Sequence, residues 1–266
     1  MFERIPLAPA DPILGLNEAF GADKRENKVN LGVGVYKNDD GLTPILKAVK
    51  EAAAILHEKE VSKSYLPITG VPAYAKALQQ LVFGKNNPII ESGRAATAQT
   101  PGGTGALRIA ADFIKTHLSH ATIWISDPSW ANHRQIFESA GLTVKSYRYY
   151  DSDNKSLDID GLIEDLHLIP QEDVVLFHAC CHNPTGVDPS LDQWQSILEI
   201  TKQKGFLVLF DMAYQGFAKG LDEDAAAVRL FADNLSEMLL ASSFSKNFGL
   251  YNERIGALTL LAETPE

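Results

Sequence analysis

From about residue 100 onward, apolar positions alternate between two textures. Ile123–Ser126, Thr143–Tyr147, Val174–Ala179, Leu207–Phe210 and Met238–Ser242 are short, mainly apolar or β-favouring runs, as expected of strands buried on both faces. Between them, apolar residues three and four apart predict helices near 104–117, 131–140, 159–168, 191–203 and 224–234. One more strand is expected at Ala257–Leu261. This succession of βα units predicts the α/β class, with a largely parallel sheet between helices. The first hundred residues differ: a leader expected to be extended by Pro6, Pro9 and Pro12, a Gly-rich stretch Leu31–Tyr36, and amphipathic helices near 45–60 and 71–83. No internal repeat or low-complexity linker interrupts the chain.

Charge narrows the possible partners. The 266 residues carry a formal net charge of −10, and no basic patch is concentrated anywhere, which argues against nucleic acid and anionic membrane as ligands. No apolar run approaches the ~18–20 residues of a membrane helix, and the N-terminus lacks one of signal-peptide length, so a cytoplasmic protein is expected. The two cysteines, Cys180 and Cys181, are adjacent, which excludes a disulfide framework. The run His178-Ala179-Cys180-Cys181-His182 has the composition of a metal cluster. Strand alternation would turn 178, 180 and 182 one way and 179 and 181 the other, so the thiols are expected to diverge, to pack in the core and to hold no metal.

In open parallel sheets, ligands bind beyond the carboxyl ends of the strands. Those ends present Asp127-Pro128-Ser129-Trp130, Cys181-His182-Asn183-Pro184-Thr185-Gly186, Asp211-Met212-Ala213-Tyr214 and Ser243-Phe244-Ser245-Lys246-Asn247. Thr100-Pro101-Gly102-Gly103-Thr104-Gly105 opens a helix whose free N–H groups favour a phosphate, although a Gly-rich cap without a ligand fits that segment equally well. It matches neither the dinucleotide fingerprint nor the P-loop, which weakens a nicotinamide dehydrogenase as a competing reading. The set suits pyridoxal 5'-phosphate. Lys246 supplies the amine for a Schiff base, with its pKa lowered by burial and Arg254, and Asp211 supplies the carboxylate that keeps the pyridine nitrogen protonated. Tyr214 and Asn183 can bond the phenolic oxygen and Trp130 can stack on the ring. Gly103, Thr104, Ser243 and Arg254 can hold the phosphate. Singly these residues have plainer readings: a surface lysine for Lys246, a helix cap for Asp211, a core side chain for Trp130, and a solvated turn or the acidic first turn of the next helix for Asp222-Glu223-Asp224.

Together the motifs are similar to those of the class I aspartate/aromatic aminotransferases, a branch of the fold-type-I pyridoxal-phosphate enzymes. The segment from Ser242 to Gly256 resembles their Schiff-base lysine segment. Cys180–Gly186, Asp211–Phe217, Asp127–Trp130 and Asn30–Tyr36 match other motifs in the family's order. The resemblance implies a mostly parallel seven-stranded sheet sandwiched by helices, with residues 46–266 as a cofactor-binding large domain incomplete at its C-terminus. Residues 1–45 would be an N-terminal arm and part of an incomplete small domain.

It further implies that Lys246 is the Schiff-base lysine and general base, with Asp211 and Tyr214 as its catalytic partners. Gly34, Trp130 and Asn183 would lie beside substrate, and Tyr65 would reach the phosphate of a neighbouring subunit, so a homodimer with shared sites is implied. Val35, Lys37 and Thr43 resemble the aspartate-preferring branch, whereas Ser64 and Phe244 depart from its usual residues. The implied reaction converts L-aspartate and 2-oxoglutarate to oxaloacetate and L-glutamate, with aromatic amino acids as further substrates. The family's chains are longer and use two arginines to clamp the substrate carboxylates. The arginines here, at 4, 25, 94, 108, 134, 148, 229 and 254, match neither. The alternative implied is a truncated chain that binds cofactor but is catalytically incompetent.

Overall fold

The computed structural model describes residues 2–4, 14–30, 32 and 34–265. The leader prolines Pro6, Pro9 and Pro12, and Leu31 and Val33 of the Gly-rich stretch, lie outside them. The chain divides into two compact units, Met1–Ile45 and Leu46–Glu266. In the first, a short 3-10 turn occupies Phe2–Arg4 and helix α1 spans Leu14–Ala22. The last leader proline precedes α1, so proline does not interrupt it. Lys28 closes this unit locally, donating to the carbonyl of Phe20 at 2.7 Å with its ammonium over the Phe20 ring.

The second unit is built on nine strands: β1 Ala95–Pro101, β2 Thr122–Asp127, β3 Thr143–Arg148, β4 Tyr150–Asp151, β5 Ser156–Leu157, β6 Val174–His178, β7 Leu207–Met212, β8 Met238–Ser243 and β9 Ile255–Leu261. Seven form one sheet in the order β1-β9-β8-β7-β6-β2-β3, and β4 with β5 forms a separate ribbon. Within the large sheet, β9 is antiparallel to both its neighbours and every other pairing is parallel. The expected seven-stranded, mostly parallel sheet is therefore present. The expectation from periodicity had missed β1. Its sequence, AATAQTP, has few β-branched residues and becomes a strand by pairing along its whole length with β9.

Helices cover both faces. They are α2 Lys47–Lys59, α3 Pro72–Phe83, α4 Pro88–Glu91, α5 Gly102–His117, α6 Ala131–Ser139, α7 Ile159–Leu168, α8 Leu191–Lys204 and α9 Ala226–Asn234. Alternating strand residues feed two cores. Val174, Leu176, Leu209 and Leu239 pack with Ala106, Leu107, Ile114 and Phe137 of α5 and α6. Val175, Phe177, Val208, Phe210 and Leu240 pack against Leu78, Leu162, Ile197 and Phe231 of α3, α7, α8 and α9. Local chemistry sets the helix ends. Ser190 and Gln193 form a reciprocal capping box at the start of α8, and Gly205, in the left-handed region, ends it. Helix α2 is the exception to burial, because none of its residues is buried.

Candidate active site

The carboxyl ends of β2, β6, β7 and β8 lie side by side, with Asp211 opposite His178 in the β6–β7 register and opposite Ala241 in the β7–β8 register. Two residues beyond Asp211 in the chain, Ala213 leads to Tyr214, over whose ring the Lys246 ammonium sits 5.3 Å from the centroid. Burial lowers the pKa of Lys246; the nearby Asp211 opposes this and Arg254 adds to it. A larger fraction of the amine is thus in the reactive neutral form than an ordinary lysine would show at the same pH. The phenol of Tyr214 shifts the other way, first through burial and then through Asp211 and Cys181, which keeps its proton available for donation.

An unbroken hydrogen-bond chain holds Asp211. The Asn183 amide N–H donates to His178 Nδ1 at 3.3 Å, leaving the proton of a neutral His178 on Nε2, which reaches Ser129 Oγ at 3.2 Å. Ser129 in turn meets His133 Nδ1 at 2.9 Å, and His133 Nε2 meets Asp211 Oδ2 at 2.8 Å. His178 is held well below its ordinary pKa by burial and by its His182 and His133 neighbours, which fixes its single proton. Read from that end, the tautomers run in one direction and finish with an N–H of His133 aimed at the Asp211 carboxylate. His133 and Ser129 were not among the residues singled out by sequence. Their signal is faint: they are four apart, His133 lies on the buried face of α6, and only docking of that helix brings it to Asp211.

A second cluster forms an anion cradle. Helix α5 begins at Gly102 with Pro101 as its cap residue and no side-chain cap, so its first N–H groups are free. Gly102 and Gly103 sit so close to the neighbouring strand ends that a Cβ on Gly102 would lie 2.6 Å from Arg254 Nη2, and one on Gly103 3.1 Å from Ser243 Cβ. Arg254 Nη1 donates to Ser245 Oγ at 3.2 Å, and the Ser245 amide donates to Ser243 Oγ at 3.3 Å. Gly102, Gly103, Ser243, Ser245 and Arg254 thus lie together, and Thr104 follows Gly103 in the first turn of α5.

Trp130 caps α6, its ring edge-on to His133 at 5.2 Å. Asn183 is half-buried on the β6 loop, and its carboxamide makes no hydrogen bond to the described residues. Tyr65 is fully exposed, and Gly34 belongs to the first unit, where nothing lies within 4 Å of where a Cβ would be.

Two further expectations need correction. Strand β6 ends at His178 rather than Ala179, and Cys181 has φ +50°, so the strand alternation that should have separated the thiols does not operate. The two sulfurs instead lie within 4.8 Å of each other. Asp224 is buried, not part of a solvated turn, and its carboxylate accepts backbone N–H groups from Gly216, Ala218, Lys219 and Gly220.

Residues 26–264 match the model of the family described as aminotransferase class I and II. The chain belongs to that family. All 266 residues align at 56% identity with aspartate aminotransferase of Escherichia coli K12, covering 67% of it. Aromatic-amino-acid aminotransferase of Pseudomonas aeruginosa is 51% identical over 265 residues, 66% of its length. In structure, the chain superposes on aromatic-amino-acid aminotransferase from Burkholderia pseudomallei, covalently bound to pyridoxal phosphate, with a TM-score of 0.97 at 48% identity, over 100% of this chain and 66% of that one.

The donor set of this aminotransferase fits pyridoxal 5'-phosphate. Free N–H groups, two serines and a guanidinium suit the phosphate, a carboxylate suits a protonated ring nitrogen, and a depressed lysine suits the aldehyde. Arg25, Arg108, Arg134, Arg148 and Arg229 pair with Asp23, Asp112, Glu138, Asp165 and Asp222. Arg94 is bonded to the carbonyls of Ala262, Leu235 and Ser236. Arg4 is exposed on the 3-10 turn and Arg254 belongs to the cradle.

Proposed function

We propose that the chain carries the cofactor half of a cytoplasmic aminotransferase that moves the amino group of L-aspartate to 2-oxoglutarate, with aromatic amino acids as further substrates. The observation that carries this reading is the desolvated Lys246 between Asp211, Tyr214 and the anion cradle. Pyridoxal 5'-phosphate, when bound, supplies an aldehyde that condenses with amines and a ring that withdraws electrons from the substrate α-carbon. Gly103, Thr104, Ser243, Ser245 and Arg254 would hold its phosphate, Asp211 its ring nitrogen, and Tyr214 and Asn183 its phenolic oxygen. Trp130 would lie over one face of the ring and exclude water. Lys246 Nζ would serve as the base that holds and moves the proton of the substrate α-carbon. Asp211 can favour a cationic ring because His133 keeps it bonded as an acceptor.

The same reading takes the active form to be a homodimer, with Gly34 beside substrate and Tyr65 serving the neighbouring phosphate. A fully exposed Tyr65 and a helix α2 without a buried residue support it. Among the described residues, no helix is long and apolar enough to cross a membrane.

A second reading rests on the arginines. Among the described arginines of the second unit, Arg254 alone belongs to the candidate site and the others are bonded to acidic side chains or backbone carbonyls, so on this reading the 266 residues would bind cofactor without completing transamination. A single-turnover experiment separates the two: cofactor-loaded protein is mixed with L-aspartate, and oxaloacetate is measured. One equivalent per site supports transamination; bound cofactor with no oxaloacetate supports the second reading.

A further inference from the structure

The loop after β6 carries a second group of reactive side chains. The sulfurs of Cys180 and Cys181 and a carboxylate oxygen of Asp224 all lie within 4.8 Å of one another. Cys180 and Asp224 line a cavity of about 260 Å3, walled elsewhere by Trp194, Leu191, Asp188 and Lys219. The two thiols are adjacent in sequence and side by side in space only because Cys181 takes a left-handed φ of +50°, a conformation disfavoured for a non-glycine residue. Asp188 holds it there, accepting the amide N–H of Cys181 at 2.6 Å and that of His182 at 2.8 Å.

We propose that Cys180, Cys181 and Asp224 form a binding site for a thiophilic divalent cation of the zinc or cadmium class. The ligand types are those such cations take, two soft thiolates and a carboxylate, with a fourth position open to water in the cavity. The spacing fits as well. Zinc–sulfur bonds of about 2.3 Å and zinc–oxygen bonds of about 2.1 Å require ligand atoms roughly 3.5–4 Å apart, so side-chain shifts of about 1 Å close the site.

Charge favours it too. The Asp224 carboxylate accepts the backbone N–H groups of Gly216, Ala218, Lys219 and Gly220, which stabilise negative charge on it. The longest of those bonds, from Gly220 at 3.4 Å, is weak enough to be given up to a cation. Asp188, Asp224 and the lining Glu223 make the surroundings negative, against the single lysine Lys219. Cation binding forms two metal–sulfur bonds and releases the remaining thiol protons to solvent, so affinity rises with pH.

The sequence makes the test specific, because the chain has only 2 cysteines and a metal–thiolate band can arise from nowhere else. Cofactor-loaded protein is titrated with cadmium chloride while the ultraviolet thiolate-to-cadmium charge-transfer band is followed, and zinc is then added as competitor. The expected result is a saturating band at one cadmium per chain, displaced by zinc, accompanied by proton release. The band should vanish in Cys180→Ser and in Cys181→Ser, and weaken at least about tenfold in affinity in Asp224→Asn. No band in the wild-type protein overturns the proposal, as does a band needing two chains per cadmium. Undiminished affinity in a folded Asp224→Asn variant overturns the three-ligand site. Should Asp224→Asn fail to fold, the wild-type stoichiometry and the two serine variants decide.

Discussion

Gly256→Ala is the sharpest perturbation of the proposed phosphate cradle that leaves all its polar groups in place. Gly256 lies in β9, opposite Thr100 of β1 on one side and Ser243 of β8 on the other. A Cβ there would stand 2.4 Å from the carbonyl carbon of Gly102 and 2.6 Å from its oxygen, both backbone atoms that no rotamer change can withdraw. Ordinary carbon contacts are about 3.5–4.0 Å, so β9 and the first turn of α5 must part by about 1 Å. Overpacking of this kind costs about 1–3 kcal/mol, which lowers Tm by roughly 2–12 °C in a domain of this size. The cradle depends on the same approach, since Gly102 abuts Arg254 and Gly103 abuts Ser243. Losing one charge-assisted bond to the phosphate, about 1.5–3 kcal/mol, weakens pyridoxal 5'-phosphate binding roughly 10- to 150-fold. Equilibrium absorbance titration and thermal unfolding measure both effects, with Gly21→Ala as the control because nothing lies within 4 Å of its added Cβ. A Gly256→Ala variant with wild-type affinity would refute the reasoning, since the glycine would then not be what sets the cradle.

Three further outcomes follow from other parts of the site. Arg254→Lys keeps the charge but loses the fork that spans Ser245 and the phosphate, so cofactor affinity should fall about tenfold while the secondary structure seen by circular dichroism is retained. Asp211→Asn removes the anion proposed to pair with the ring nitrogen; single-turnover rates should fall by at least about 10²-fold, and an unchanged rate would discard the proposed role. His182, buried and stacked 3.9 Å from Tyr149, has its pKa lowered from 6.5 to about 4 by burial and by His133. The unfolded ring gains its proton near pH 6.5 and the folded ring only near 4, so acid favours the unfolded chain throughout that window. Urea unfolding should show His182 contributing about 3 kcal/mol of stability at neutral pH that is lost by pH 4, and His182→Gln should flatten that slope.

The strand-end residues were legible because buried parallel strands announce themselves as short apolar runs, and the polar residues that end them stand out. Asp211, Tyr214, Asn183, Ser243 and Lys246 were read in that way, and Gly103, Thr104 and Arg254 from the turn and the lysine segment. What escaped depends on packing that no local pattern encodes. Strand β1 exists through its pairing with β9, and His133 reaches Asp211 through the docking of α6 on the sheet. Asp224 is buried because four backbone N–H groups converge on it. The cysteine pair was misjudged for a related reason. Alternation was carried past the end of β6, and a single left-handed residue turned the second thiol toward the first.

The central claim is that Lys246 is the residue joined to the cofactor. Protein loaded with pyridoxal 5'-phosphate, reduced with borohydride and digested, can be mapped by mass spectrometry. A single phosphopyridoxyl adduct on the peptide containing Lys246, absent from Lys246→Ala, is the result predicted. An adduct on another lysine, or none with cofactor in excess, would contradict it.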